Sequence, residues 1–130
     1  MKKYVLFFYV LIFTQVVFAQ GDSIKAPYLR FPNFPPVKLL LPDSSSYFTK
    51  ENLPKKYPVM LMLFNPQCDH CQHATEEIIQ NIDKFKNIQI IMATSMSFSS
   101  MKYFREKYKL TSYENITVAQ DTHHFLPSYY

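Results

Sequence analysis

The stretch Val59-Met60-Leu61-Met62-Leu63-Phe64-Asn65-Pro66-Gln67-Cys68-Asp69-His70-Cys71 decides the fold of this chain. It joins an apolar run, through a short turn, to a C-x-x-C pair that opens an amphipathic helical pattern. The apolar run predicts a strand covered on both faces, as in an α/β sheet. A dithiol between a buried strand and a helix N-terminus is the geometry of thiol–disulfide exchange chemistry. The pair contains the only two cysteines of the chain.

The N-terminus predicts a secretory signal peptide over residues 1–19. Two lysines precede an uncharged run over residues 4–17, and Val17-Phe18-Ala19 supplies small residues where a signal peptidase cuts. The run is shorter than the about 18 apolar residues that usually span a membrane, which disfavours an uncleaved anchor. We therefore expect a mature chain that starts at Gln20, does not span the membrane, and is periplasmic or otherwise exported.

Net charge, glycine content and cysteine content exclude some classes of function. The formal net charge falls from +4 to +2 when Lys2 and Lys3 leave with the signal peptide, so charge gives no argument for a nucleic-acid partner. Gly21 is the only glycine, which excludes a glycine-rich phosphate loop, and we expect no cofactor. An exported chain meets an oxidising compartment. A C-x-x-C disulfide closes too short a loop to add much stability, which favours a reactive pair over a structural one.

The mature chain divides into a leader over residues 20–36 and a domain over residues 37–130. Prolines interleaved with aromatic residues predict an extended leader. The domain opens with a short strand or hairpin at 37–41 and 47–49. Apolar periodicity then predicts strands at 59–64, 88–93 and 116–119, a helix over 68–85 that stops near Asn87, a helix capped by Ser97 or Ser99, and a short helix or turn after Asp121. This β-α-β-α-β order indicates α/β architecture with parallel strands.

These residues resemble the thioredoxin superfamily, and most of all its exported TlpA/ResA-like thiol–disulfide oxidoreductases of Bacteroidetes-type bacteria. The likeness is carried by residues 58–72, with weaker support from 88–93 and 116–121. It implies a thioredoxin-like β-α-β-α-β core with an N-terminal strand or hairpin extension. It also implies an enzyme that exchanges disulfides with client protein thiols.

The resemblance assigns roles to the residues of the motif. It implies that Cys68 is the nucleophile and Cys71 the resolving thiol of the catalytic pair. His70 joins them as a site residue, because a protonated imidazole there would favour the Cys68 thiolate, whereas the Asp69 carboxylate would disfavour it. The family favours a reductive role in the cell envelope, for example in cytochrome c maturation, with a membrane electron donor. Oxidase and isomerase roles stay open.

The sequence departs from the family pattern at three places. Gln67 stands where many members carry tryptophan, and the strand before the motif has no acidic residue. Glu76 and Glu77 are expected to face solvent. The family's cis-proline loop, two further strands and final helix have no counterpart after residue 118, because Pro127 belongs to a helical segment. We therefore expect a domain that is incomplete at the C-terminus because it is truncated before that loop. Whether such a chain is active by itself is left open by the sequence.

Two other functions compete with exchange chemistry. Cys68, His70, Cys71 and His73 could hold zinc or copper(I) in an envelope metal-binding protein. No second cysteine pair completes a zinc site, and Gln72 after the motif excludes a haem attachment sequence. We therefore predict no metal among the site residues.

The second competing function is a non-catalytic interaction module that binds a partner through its N-terminal arm. Tyr28, Phe31 and Phe34 supply the aromatic side chains of that arm. The alternative is that these rings pack onto the chain's own domain, and the sequence leaves the two open.

Overall fold

A computed structural model describes residues 27–30 and 33–130, so the predicted signal peptide and residues 20–26 and 31–32 of the leader lie outside the described residues. The described part is built on one five-stranded sheet. Its strands are β1 Lys38–Leu40, β2 Tyr47–Thr49, β3 Val59–Leu63, β4 Gln89–Thr94 and β5 Ile116–Gln120. The helices are α1 Pro27–Arg30, α2 Asp69–Gln80, α3 Phe98–Lys107 and α4 Phe125–Tyr129, with 3₁₀ turns at Lys50–Asn52, Ile82–Phe85 and Leu110–Ser112.

The strands lie in the order β2-β1-β5-β4-β3. β3, β4 and β5 run parallel, with Met60 opposite Ile90 and Ile90 opposite Ile116. β1 is antiparallel both to β2 and to β5, which it meets where Leu40 faces Gln120. The predicted N-terminal hairpin and the parallel β-α-β-α-β order are thus confirmed, and the carboxyl ends of three parallel strands share the edge where the motif lies.

Alternating side chains of β4 build two cores, one on each face of the sheet. Ile90 and Met92 face α2 and α3, while Ile91 and Ala93 face the N-terminal segment and α4. The helix-side core consists of Phe64, Ile90, Met92, Met101, Phe104, Leu110, Ile116 and Val118. The opposite core consists of Val37, Leu39, Phe48, Ile91, Ala93, Ala119 and Leu126.

The apolar run before the motif is less buried than its composition predicted. Residues of β3 do contact both cores, but they are only half-buried, and Leu63 is 40% exposed. The reason is position: within the described residues β3 pairs with β4 alone and forms an edge of the sheet. β4, between β3 and β5, is the strand that is buried along almost its whole length.

The two longer helices differ in how closely they match prediction. α2 ends at Gln80, not near Asn87, because its C-cap Asn81 leaves helical dihedrals (φ −112°, ψ 21°). The Asn81 side-chain amide donates to the Glu77 carbonyl at 2.9 Å. A 3₁₀ turn continues the chain over Ile82–Phe85. α3 begins as predicted at Ser97, whose hydroxyl accepts from the Ser100 N–H at 3.2 Å.

The leader was predicted to be extended, but part of it is helical. Pro27 opens the single turn α1, and proline is tolerated at a first helical position because that N–H has no helical partner. Further along, Phe34 packs against the core that contains the buried Val37, and Pro35 is buried too. The described end of the leader therefore packs onto the domain. In the described part of the chain, no helix has the length and apolar character needed to cross a membrane.

Candidate active site

The turn between β3 and α2 places the first cysteine. Phe64 is buried and its N–H donates to the Ala93 carbonyl at 3.0 Å, which holds the end of the strand to β4. Asn65 then accepts two hydrogen bonds inside the turn. Its side-chain oxygen accepts from the Gln67 N–H at 2.9 Å, and its carbonyl accepts from the Cys68 N–H at 3.0 Å. Cys68 is thereby fixed at the N-cap of α2.

Cys68 and Cys71 stand one helical turn apart on the same side of α2, because side chains three residues apart are neighbours on a helix. The helix begins directly after Cys68, whose carbonyl accepts from the Gln72 N–H at 3.0 Å. Both cysteines are free thiols and half-buried, and Cys71 packs against the helix-side core. The structure therefore brings the two predicted thiols together at a helix N-terminus.

The surroundings of Cys68 favour its thiolate. The Cys71 backbone N–H is the largest influence that lowers the pKa of Cys68, followed by the Cys71 thiol and then, more weakly, the His70 backbone N–H. None of these N–H groups makes a capping hydrogen bond of normal geometry to the sulfur, so they act as nearby dipoles at a helix N-terminus. Partial burial and, more weakly, the Asp69 carboxylate raise the pKa of Cys68.

The pKa of the second thiol, Cys71, is shifted in the opposite direction. Burial is the main influence on Cys71 and raises its pKa, and the neighbouring Cys68 adds to the increase. One thiol is therefore easier to ionise than an ordinary cysteine, and the other is harder. A pair with this difference can attack a disulfide through Cys68 while Cys71 keeps its proton.

The other predicted site residues are exposed. His70 acts on Cys68 through its backbone N–H, and within the described residues no hydrogen bond to its imidazole is seen. His73 points outward, where its Nδ1 lies 3.6 Å from a Glu76 carboxylate oxygen. Glu76 and Glu77 are exposed, as expected. Over residues 27–30 and 33–130, no three His, Cys, Asp or Glu side chains are grouped so that they could hold a metal ion.

Sequence reasoning missed Gln72. Its side chain links the turn before Cys68 to the C-terminal end of α3, where it accepts hydrogen bonds from Lys107 and Tyr108. The pattern contained no signal for these contacts, because the partners are 35 and 36 residues away on another helix.

Comparison with known proteins bears on the fold. The structure is similar to that of a secreted Mycobacterium tuberculosis disulfide oxidoreductase homologous to Escherichia coli DsbE, with 17% identity, a TM-score of 0.57, and 70% of this chain and 64% of that chain covered. It is also similar to a proposed electron transfer protein from Aquifex aeolicus VF5, with 20% identity, a TM-score of 0.55, and 66% and 58% covered. An uncharacterised thioredoxin-like protein from Porphyromonas gingivalis matches with 14% identity, a TM-score of 0.55, and 73% and 64% covered.

These likenesses show that the chain has a thioredoxin-like α/β fold, which confirms the fold expected from the motif. No protein-family model matches the sequence, and no curated protein matches it either. The chain spans between 58% and 64% of the length of the three similar structures.

Proposed function

We propose that the chain is a thiol–disulfide oxidoreductase that exchanges disulfides with protein thiols through Cys68 and Cys71. The observation that carries the proposal is the pair of thiols at the N-terminus of α2, one with a lowered and the other with a raised pKa. Its thioredoxin-like fold adds support, because C-x-x-C thiols with lowered pKa values at helix N-termini are the nucleophiles of disulfide exchange.

The bond exchanges that reduce one client disulfide take place at the two cysteine sulfurs. The Cys68 thiolate attacks one sulfur of a client disulfide, so that a mixed disulfide forms and the other client sulfur leaves as a thiolate. Cys71 loses its proton to solvent and attacks the Cys68 sulfur. A Cys68–Cys71 disulfide forms, and the second client thiolate leaves. The client disulfide gains two electrons and the dithiol loses two, so a donor must reduce the pair before the next cycle.

The proposed direction is reduction of client proteins in the cell envelope. The predicted signal peptide over residues 1–19 supports an exported location, and a membrane electron donor would then restore the dithiol. The residues around the motif support a TlpA/ResA-like role, and the similarity to a secreted disulfide oxidoreductase is consistent with it. Metal binding by the same Cys/His cluster is not proposed, since within the described residues its side chains are not grouped so that three of them could hold a metal ion.

A redox titration tests the proposal. The chain from Gln20 onward is equilibrated in glutathione buffers, trapped by alkylation and read by mass. A two-electron midpoint between roughly −120 and −270 mV places the pair among working exchange catalysts. A pair that stays oxidised below about −300 mV is a structural disulfide, and that result rejects the proposal.

Two matched variants separate the roles of the thiols. With a disulfide-bonded client peptide, Cys71→Ser should accumulate the mixed disulfide on Cys68, because nothing resolves it. Cys68→Ser should form little adduct, because Cys71 is half-buried and its pKa is raised. Equal adduct formation by the two variants contradicts the assignment of the nucleophile.

A further inference from the structure

The turn that precedes Cys68 is hydrogen-bonded to a side chain of α2, the helix that follows it. The Gln72 side-chain amide donates to the Pro66 carbonyl at 3.0 Å. Pro66 is buried and has no N–H of its own, so its carbonyl is the one backbone group through which this residue can be tied down by a hydrogen bond. Together with the contacts inside the turn made by Asn65, this bond fixes the chain on both sides of Gln67.

The oxygen of the same Gln72 amide is hydrogen-bonded to the C-terminal end of α3. The Gln72 side-chain oxygen accepts from the Lys107 ammonium at 3.2 Å and from the Tyr108 hydroxyl at 3.3 Å. Two donors meet this oxygen, so the amide nitrogen must face the Pro66 carbonyl. The amide therefore bridges two elements that are far apart in sequence, and its orientation is set by its partners.

The position of Tyr108 is in turn fixed by the core. Its ring lies 4.7 Å, centroid to centroid, from Phe104, and Phe104 lies 4.5 Å from Phe64. Phe64 is the residue that leads β3 into the turn. The turn is thus connected to α3 by two routes, one through packed rings and one through the Gln72 amide.

We propose that Gln72 is a positioning residue for Cys68: its amide holds the turn at residues 65–67, and the turn keeps the Cys68 sulfur at the N-terminus of α2, near the first-turn N–H groups. Gln72 takes no part in bond exchange. The inference rests on the proposed function, since it concerns the nucleophile of the dithiol site. It follows from geometry, because a turn that is free to shift would move the sulfur away from the Cys71 and His70 N–H groups that favour its thiolate.

The test is the pH dependence of alkylation of the reduced chain from Gln20 onward, with iodoacetamide as the probe and each cysteine followed separately by mass. Gln72→Met keeps the length of the side chain and removes its hydrogen bonds. We expect the pH midpoint of Cys68 alkylation to rise and the thiolate fraction at pH 7 to fall about two- to tenfold, the factor that one hydrogen bond contributes to an equilibrium. Tyr108→Phe should change the midpoint in the same direction by less.

The matched control is Gln80→Met, the same substitution at an exposed position of the same helix. It should leave the midpoint unchanged. Urea unfolding of all three variants separates positioning from general damage. An unchanged Cys68 midpoint in Gln72→Met overturns the proposal, whether or not the variant is less stable. The assay needs no exchange partner, so it tests the role of Gln72 even if the redox titration rejects the proposed function.

Discussion

Replacing Phe104 with leucine should destabilise the domain measurably. Phe104 is 1% exposed on α3, and its ring contacts those of Phe64 and Tyr108 at centroid distances of 4.5 and 4.7 Å. Leucine refills much of the space but cannot form either ring pair. The substitution therefore removes the two aromatic contacts and leaves most of the burial in place.

The expected loss can be estimated from these two contacts. An aromatic pair contributes about 0.5–1.5 kcal/mol beyond the area it buries, so two pairs amount to about 2 kcal/mol. Small domains have urea m-values of about 1–3 kcal/mol/M. For a value in the middle of that range, the urea midpoint of Phe104→Leu should fall by about 1 M.

The assay is urea unfolding of the reduced chain, followed by far-UV circular dichroism. Tyr103→Leu is the control, because it is the same kind of change at the preceding residue, where the side chain is 67% exposed. Exposed substitutions usually change stability by less than about 0.5 kcal/mol. If the two variants lower the midpoint equally at an unchanged m-value, the ring contacts of Phe104 do not stabilise the fold and the reasoning is refuted.

Three further substitutions have expected outcomes. Asp69→Asn should move the pH midpoint of Cys68 alkylation downward, because the carboxylate raises the pKa of this thiol. Ser97→Ala should lower the stability of the fold by about 1 kcal/mol in urea unfolding, because the N-cap of α3 is lost. For Asp43, hydrogen bonds from the Ser46 hydroxyl and N–H and then the Ser45 N–H lower the pKa from 3.8 to about 2. The carboxylate therefore stabilises the turn above its unfolded pKa and loses this effect as pH falls through about 2, so the Tm difference between wild type and Asp43→Ala should narrow between about pH 4 and pH 2.

Each of these has a control or a result that contradicts it. Asp83→Asn changes an exposed carboxylate that pairs with Lys86 beyond the end of α2, and it should leave Cys68 unchanged. Ser112→Ala removes an exposed hydroxyl outside any N-cap and should cost much less than Ser97→Ala. For Asp43→Ala, a Tm difference that stays constant down to pH 2 would contradict the assigned cause.

The elements of the fold were predictable because their signals are local. The helical spacing after Cys68, the apolar run at β4 and the capping serine before α3 each reflect neighbours in sequence. Each of these elements formed at the expected place, although α2 ended earlier than predicted. The predictions were wrong where the environment of a residue depends on residues that are distant in sequence. β3 is only half-buried because it lies at an edge of the sheet, and β4 is buried because it lies between two strands. An apolar run of about six residues predicts a strand but does not show whether that strand lies at the edge or in the middle of the sheet.

The site shows the same division. Its two thiols and the opposing effect of Asp69 could be predicted from spacing alone. His70 was predicted as a site residue because a protonated imidazole there would favour the thiolate. Its side chain is exposed, and it is the backbone N–H of this residue that acts on the sulfur. The contacts of Gln72 could not be predicted, because they require knowing which face of α3 lies against α2.

The place of β5 in the sheet has a consequence for synthesis. β5 follows both β1 and β3–β4 in sequence, yet it lies between them, and the pair Leu40–Gln120 joins the β1–β2 hairpin to the parallel strands. A chain made from the N-terminus onward therefore holds a hairpin and a two-stranded unit that cannot join until residues 116–120 have been made. Pairing across such a separation is slow to form. During this interval Cys68 and Cys71 are already present on an unfinished sheet, so their thiols can exchange with disulfides of other proteins, each exchange releasing a thiolate, before the domain has folded.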